Sequence, residues 1–201
     1  LPINAIEAVK NDGLVSRSNI FSKYTYMPTG PHELNIEYVT VPDVNVAEIS
    51  LNFSDTTGIT KYGLLRSSDK NADFIRIDSI SNIPGNEHIF RDESIISSTD
   101  HYYYKISAIN SCNFNISESN LGTNILLNAS INEDEVILEW TAYEYWSEGV
   151  EDYLIFRKDA ENNFELIGTT QNTNYTDYLP DIFGNNVTGD LTYLIRAKRT
   201  G

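Results

Sequence analysis

Five short segments occur twice along this chain, in the same order, and that duplication limits what the chain can fold into. Ile49-Ser50-Leu51-Asn52-Phe53 is followed by Tyr62-Gly63-Leu64-Leu65-Arg66, Phe74-Ile75-Arg76-Ile77, Phe90-Arg91-Asp92 and Tyr104-Lys105-Ile106-Ser107-Ala108. The counterparts are Val136-Ile137-Leu138-Glu139-Trp140, Tyr153-Leu154-Ile155-Phe156-Arg157, Phe164-Glu165-Leu166-Ile167, Tyr175-Thr176-Asp177 and Tyr193-Leu194-Ile195-Arg196-Ala197. Each pair is offset by roughly 90 residues, about the size of one small domain. A third, partial copy opens the chain. Ala8-Val9-Lys10-Asn11-Asp12-Gly13 and Ser16-Arg17-Ser18-Asn19 match Ala108-Ile109-Asn110-Ser111-Cys112 and Ser117-Glu118-Ser119-Asn120.

The repeats predict three segments. Residues 1–30 are read as the last hairpin of a preceding unit plus a junction, 31–122 as one full unit, and 123–201 as a second unit lacking its last strand. The chain thus reads as a piece of a longer tandem array, with a final Ser-x-Ser-Asn element expected after Gly201. Between Asn120 and Ile125 stand only Leu121-Gly122-Thr123-Asn124, too few for free rotation, so end-to-end stacking is expected. The earlier junction, Tyr24 to Leu34, carries Pro28, Gly30 and Pro31 and is longer.

The repeated segments are strands. Val136, Leu138 and Trp140 are apolar at period two, and so are Tyr102, Tyr104, Ile106 and Ala108; that period belongs to a strand with one buried face. Turn clusters separate them at Ser67 to Asn71, Pro84-Gly85-Asn86, Asp159 to Asn163 and Gly184-Asn185-Asn186. About seven strands per unit at this spacing predict an all-β chain of tandem antiparallel sandwiches. No stretch has a helical period with caps, and Glu144–Asp152 reads as a loop with an aromatic cluster.

Charge narrows the partners. Twenty-nine acidic against 14 basic residues give −15, which disfavours nucleic acid and anionic lipid. No apolar run of about 18 residues is present, and the first residues lack a signal peptide's basic and apolar regions. Cys112 is the sole cysteine, so no disulfide closes within the chain and no cysteine-ligated zinc forms. It is read as a small buried or half-buried side chain, with a bridge to another part of the protein as the alternative.

Catalytic signatures are scarce. His32, His88 and His101 have no metal-ligand spacing and read as surface or turn residues, the latter two flanking strands. There is no Gly-x-Ser-x-Gly elbow and no phosphate-cradling loop. Acidic runs at Glu133-Asp134-Glu135 and Glu148 to Asp152 read as a solvated surface, with calcium at a junction as the next candidate, although no Asp-x-Asp-x-Asp-Gly loop exists. Asn-x-Ser/Thr sequons start at Asn52, Asn115, Asn128, Asn174 and Asn186. Accordingly no enzyme activity and no cofactor are expected. Tyr143, Tyr145 and Trp146 are candidates to cap the second core at the junction or to face a ligand.

The order Trp140, Tyr153-Leu154-Ile155-Phe156-Arg157, Tyr175-Thr176-Asp177, Tyr193-Leu194-Ile195-Arg196-Ala197 resembles fibronectin type III modules. The resemblance implies a three-strand plus four-strand sandwich. Its core would contain Phe53 (where the family has Trp), Tyr62, Tyr102, Tyr104, Trp140, Tyr153 and Tyr193. Tyr102 falls at the family's tyrosine corner, whereas the second unit has Leu191 there. A narrower likeness runs through Ile36-Glu37-Tyr38-Val39-Thr40-Val41, Tyr103 to Asn113, Ile125-Leu126-Leu127, Leu138 to Tyr143, Trp146, Gly149 and Val150. It is similar to modules preceding the C-terminal domain of gliding-motility-associated surface proteins of Bacteroidota, which leave by type IX secretion and end in a type B sorting domain. That family has Asp-Ser-Cys-Gly-Asn where this chain has Asn110-Ser111-Cys112-Asn113-Phe114. The likeness implies an extracellular, bacterial outer-surface location. It also implies as partners the neighbouring domains, the secretion machinery (through a sorting domain outside these residues) and a surface protein or glycan. Asp55-Thr56-Thr57 and Asp78-Ser79-Ile80 resemble O-glycosylation acceptors at Thr56 and Ser79. The expected role is a stiff structural or adhesive spacer. The alternatives are a spacer of a secreted polysaccharide-degrading enzyme and a protein-binding receptor ectodomain.

Overall fold

The computed structural model describes residues 7–18, 30–31, 33–54, 58–81, 83–159, 161, 163–178 and 190–200. Among them lie sixteen strands and no helix. His32, Thr56, most of the first junction and the sequon at Asn186 fall outside the described residues, as does most of segment 1–30. What is described of that segment includes a short antiparallel hairpin of β1 (Glu7–Val9) and β2 (Val15–Arg17).

The first sandwich sets the sheet β3 (Leu34–Asp43), β4 (Val46–Phe53), β7 (Glu87–Asp92) against a second sheet. That second sheet contains β5 (Ile59–Ser67), β6 (Ile75–Ile80) and β8 (Tyr103–Asn110), with β9 (Asn115–Glu118) and β10 (Gly122–Thr123) both paired to β8. The two sheets thus hold three and five strands, the short β9 and β10 sharing the edge of β8 where the expected three-plus-four plan has one strand. Period two does the folding: in β4, Ala47, Ile49, Leu51 and Phe53 are buried while the residues between them are half-buried. Their inward side chains meet Tyr62, Leu64, Tyr104 and Ile106 from the other sheet, and the Phe53 and Tyr62 rings lie 4.7 Å apart. The β3–β4 hairpin turns through Val44 and Asn45, with Asn45 at φ 59°. Asn tolerates this left-handed conformation better than most residues.

The second sandwich repeats the plan with β11 (Leu127–Asn132), β12 (Glu135–Trp140) and β15 (Asn174–Tyr178) in one sheet. The other holds β14 (Phe164–Thr170), β13 (Val150–Lys158) and β16 (Tyr193–Arg199), in that order. Val136, Leu138, Trp140, Tyr143, Tyr153, Ile155 and Ile195 form its core. Trp140 and Tyr153 meet edge to face at 5.5 Å, while Tyr193 is half-buried against the same cluster.

A polar staple ties the sheets together in each sandwich. In the first, Arg66 Nη1 donates to Asp92 Oδ2 at 2.7 Å and the Tyr104 hydroxyl donates to the same oxygen at 3.1 Å. In the second, Arg157 Nη1 donates to Asp177 Oδ2 at 2.6 Å and the Tyr193 hydroxyl at 2.8 Å. Arg and Tyr stand on one sheet and Asp on the other, so one carboxylate crosses the core twice over. Burial opposes ionisation of Asp92, but the Ser94 hydroxyl and amide and the Arg66 guanidinium outweigh it and hold its carboxyl below the usual range. Burial also pushes the Tyr104 and Tyr193 hydroxyls up, with the neighbouring carboxylate adding to it.

Some local readings are corrected. Cys112 is exposed rather than buried, because it sits in the β8–β9 turn, where its N–H donates to Asn110 Oδ1 at 3.0 Å. His88 lies within β7 rather than beside it, and packs edge-on to Phe90. Not every carboxylate is a solvated one: Asp92 and Asp177 are buried in strands.

Candidate functional site: the junction between the sandwiches

Four of the seven positions from Asn120 to Leu126 are tied by side-chain hydrogen bonds to one sandwich or the other. Asn120 lays its side-chain amide along β3, accepting the Ile36 N–H at 2.7 Å and donating to the Ile36 carbonyl at 3.1 Å. Gly122 follows in β10, pressed against β3 so closely that an added Cβ would stand 2.8 Å from Ile36 and 2.9 Å from Val39. Thr123 is buried, donates to the Tyr102 carbonyl at 3.0 Å and contacts His101 Nε2. Asn124 accepts the Tyr102 N–H at 2.7 Å and donates to the Asp100 carbonyl at 3.3 Å. Two residues later Leu126 is already held by the second sandwich, through the Thr141 hydroxyl at 2.9 Å.

A loop then returns from the second sandwich to the first. Residues 141–149 leave β12 and turn at Gly149 (φ 80°), whose N–H donates to the Trp146 carbonyl at 3.0 Å. The loop carries Tyr143 and Trp146, with ring centroids 4.4 Å apart. Tyr143 receives the Val39 N–H on its hydroxyl at 3.0 Å, and Trp146 Nε1 donates to the Glu37 carbonyl at 2.6 Å. Both bonds satisfy main-chain groups of β3 on the side away from β4, where no strand among the described residues pairs with it. The Tyr143 N–H in turn donates to the Tyr153 hydroxyl at 2.9 Å, anchoring the loop to its own core. Burial pushes the Tyr143 phenol up to about 12, partly offset by the bond from Val39. It is therefore a neutral acceptor across the physiological range.

Charge pairs ring this contact. Arg199 of β16 approaches Glu37 at 3.5 Å, and Lys70 approaches Glu144 at 4.0 Å; both are exposed enough to be worth little. Tyr145 is half-buried at φ 80°, with its hydroxyl pushed up to about 12 by burial and by Glu144. Burial lowers the pKa of His101, against the opposing influence of Asn124 and of Glu144. Beside the contact a groove of about 940 Å³ runs between residues 38–43 of β3, with Val44 of the following turn, and 193–197 of β16, lined also by Tyr143 and Trp146.

Of the three junction aromatics, Tyr143 and Trp146 meet ring to ring and bond the first sandwich, while Tyr145 stands beside Glu144. Of the other sequence-derived positions, Tyr102 lies at the foot of β8. Its hydroxyl accepts the Ile96 N–H at 3.3 Å and donates to Asp100 at 2.8 Å. Leu191, its counterpart, has no hydroxyl and packs against the second core. Ser79 is exposed on β6, with its N–H on Asp78 Oδ1. Among the described residues no group of three or more metal-ligating side chains forms. Likewise no described helix is long and apolar enough to cross a membrane. Sequence reasoning missed Asn120, Asn124 and the Arg–Asp–Tyr staples, although the last were present in the repeat as Arg66/Arg157, Asp92/Asp177 and Tyr104/Tyr193.

No family model and no curated protein matches the chain. Among solved structures, a Fn3-like protein from Clostridium thermocellum is 19% identical at TM-score 0.35, covering 47% of this chain and 91% of its own. The chicken CNTN1 FN1–FN3 domains are 13% identical at TM-score 0.37, covering 96% of this chain and 75% of theirs. The central fibronectin-III array of RIM-binding protein is 12% identical at TM-score 0.28, with 84% and 57% covered.

Proposed function

We propose that this chain is a non-catalytic spacer, a pair of sandwiches locked end to end that holds other domains of a large secreted bacterial surface protein at a set distance. The observation that carries this reading is the junction. Tyr143 and Trp146 hydrogen-bond main-chain groups of β3 rather than mobile side chains, so the contact fixes an angle rather than a range of angles. Seven consecutive linker positions, 120–126, include four that are tied by hydrogen bonds to one sandwich or the other. The sequence likeness to the modules of gliding-motility-associated proteins supports placing the spacer at the outer surface, exported by type IX machinery through a sorting domain elsewhere in the polypeptide.

The experiment is small-angle scattering on the parent chain and on a Tyr143→Phe/Trp146→Phe double variant. A parent profile that one fixed conformation fits, with a broader distribution for the variant, is the expected result. Equal breadth in both would remove the stiff-spacer reading. The surface placement is tested separately, by following the full-length protein in cells lacking the type IX translocon; continued display on the surface would exclude that route.

A further inference from the structure

We propose that the junction is a pH-dependent latch: a proton taken up by His101 releases the 141–149 loop from the first sandwich, so that the stiff pair becomes hinged in mildly acidic surroundings. The inference rests on the spacer reading above and adds the condition under which stiffness is lost. His101 stands just before β8, in the seam between the two sandwiches. Its ring packs on Tyr103 at 4.9 Å. Its Nε2 contacts the hydroxyl of Thr123, which donates to the Tyr102 carbonyl at 3.0 Å. Thr123 and Asn124 are the last linker residues bonded to the first sandwich before Leu126 is taken up by the second. The imidazole therefore lies against the segment that sets the direction of the second sandwich. Glu144 of the loop acts on the ring across the junction, and Lys70 of the turn after β5 approaches the same carboxylate at 4.0 Å.

A neutral ring fits this seam and a cation does not. Burial opposes the charge and outweighs the Asn124 main chain and Glu144, which favour it. The other groups around the ring add little. Glu144 is shared with Lys70, and the Asp100 carboxylate already accepts the Thr99 and Tyr102 hydroxyls. Tyr103 offers its ring, Thr123 and Asn124 carry no charge, and the Tyr145 phenol is neutral, pushed up to about 12. A protonated His101 lacks water, and parting the seam supplies it. The loop is set to part: Tyr145 holds φ 80°, which bulky side chains rarely adopt and which lasts only where neighbouring contacts impose it. Those contacts are the bonds of Tyr143 to Val39 and of Trp146 to Glu37 on either side. The sign follows by linkage. His101 binds its proton less readily docked than free, so docking is complete above its ordinary value of 6.5 and weakens below it. The docked-to-open ratio falls up to about tenfold per pH unit between the free and docked values.

The test is small-angle scattering on the 201-residue chain from about pH 8 to about pH 5, with hydrogen exchange read at the Val39 amide and corrected for its intrinsic pH dependence. The parent should scatter as one fixed conformation at the higher pH. At the lower pH it should show a broader distribution and about tenfold less protection at Val39, while the amides of β4 keep theirs. His101→Gln, neutral throughout, should stay narrow across the range. Two variants at half-exposed positions should move the opening in opposite directions. Glu144→Gln removes the carboxylate that favours the cation and should raise the opening pH; Lys70→Gln frees that carboxylate for the ring and should lower it. A parent that stays narrow throughout, or a folded His101→Gln that opens as the parent does, would overturn the latch and leave the spacer intact. If His101→Gln does not fold, an opening pH that neither surface variant moves overturns the latch in its place. A parent already broad at the higher pH would remove the spacer reading and the latch with it.

Discussion

Asp92 and Asp177 show at single-residue scale why identical positions in a repeat carry chemistry that composition hides. Counted with 27 other acidic residues, they look like surface charge. In place, each accepts an Arg and a Tyr from the facing sheet. Asp92→Asn should cost about 3 kcal/mol, the lower end for breaking a buried ion pair, because Arg66 retains 23% exposure; urea unfolding at neutral pH measures it. The Asp92 carboxyl is held below its usual range when folded. Its contribution is therefore complete above the unfolded pKa of about 4 and is lost as pH falls through the folded value. The gap between parent and Asp92→Asn should accordingly close between pH 4 and strong acid. Trp140→Ala should cost about 3–5 kcal/mol as a truncated buried aromatic, and equal denaturation midpoints for variant and parent would contradict its place in the core. Trp140 and Phe53 could be read in advance because period two exposes the inward face of a strand. The staples could not, because which carboxylate reaches across a core depends on the pairing of β4 with β7 and of β12 with β15.

At the scale of elements, the strands were legible and the way they meet was not. Alternation places β4, β8, β12 and β13, and turn clusters divide them. The linker's shortness predicted stacking, but not that Asn120 and Asn124 would serve as side-chain extensions of the ladder, since Asn in a connecting segment reads as a turn former. Nor does any local pattern say that a loop from the second sandwich will complete the bonding of β3. Tyr143→Phe leaves the Val39 N–H buried without its acceptor and should lower the stability of the junction by about 1–3 kcal/mol. Hydrogen exchange at Val39 would report it as faster opening. Gly122→Ala forces a methyl into Ile36 and Val39 and should separate β10 from β3, with a fall in the first melting transition of the chain. His101 is disfavoured as a cation in the folded state. The unfolded chain therefore takes up its proton first, and stability falls as pH drops below about 6.5. His101→Gln should flatten that slope in a thermal melt followed from pH 8 to 5.

Across the whole molecule, two separate hydrophobic clusters imply two cooperative units joined by a modest contact. Calorimetry should show two transitions, and the Tyr143→Phe/Trp146→Phe variant should move them apart by uncoupling the units. Both units were visible in the repeat at roughly 90 residues. Their angle was not, since it is set by which atoms of β3 the Tyr143–Trp146 loop finds. The junction has a further consequence for how the chain behaves in a crowded solution. The margin of β3 that Tyr143 and Trp146 cover would, without them, present the Val39 N–H and the Glu37 carbonyl unpaired, the kind of surface on which other chains nucleate ordered aggregates. The second sandwich therefore acts as a shield for the first. Cutting the chain after Asn124 would yield a piece with its whole core intact and yet a much lower solubility than the pair.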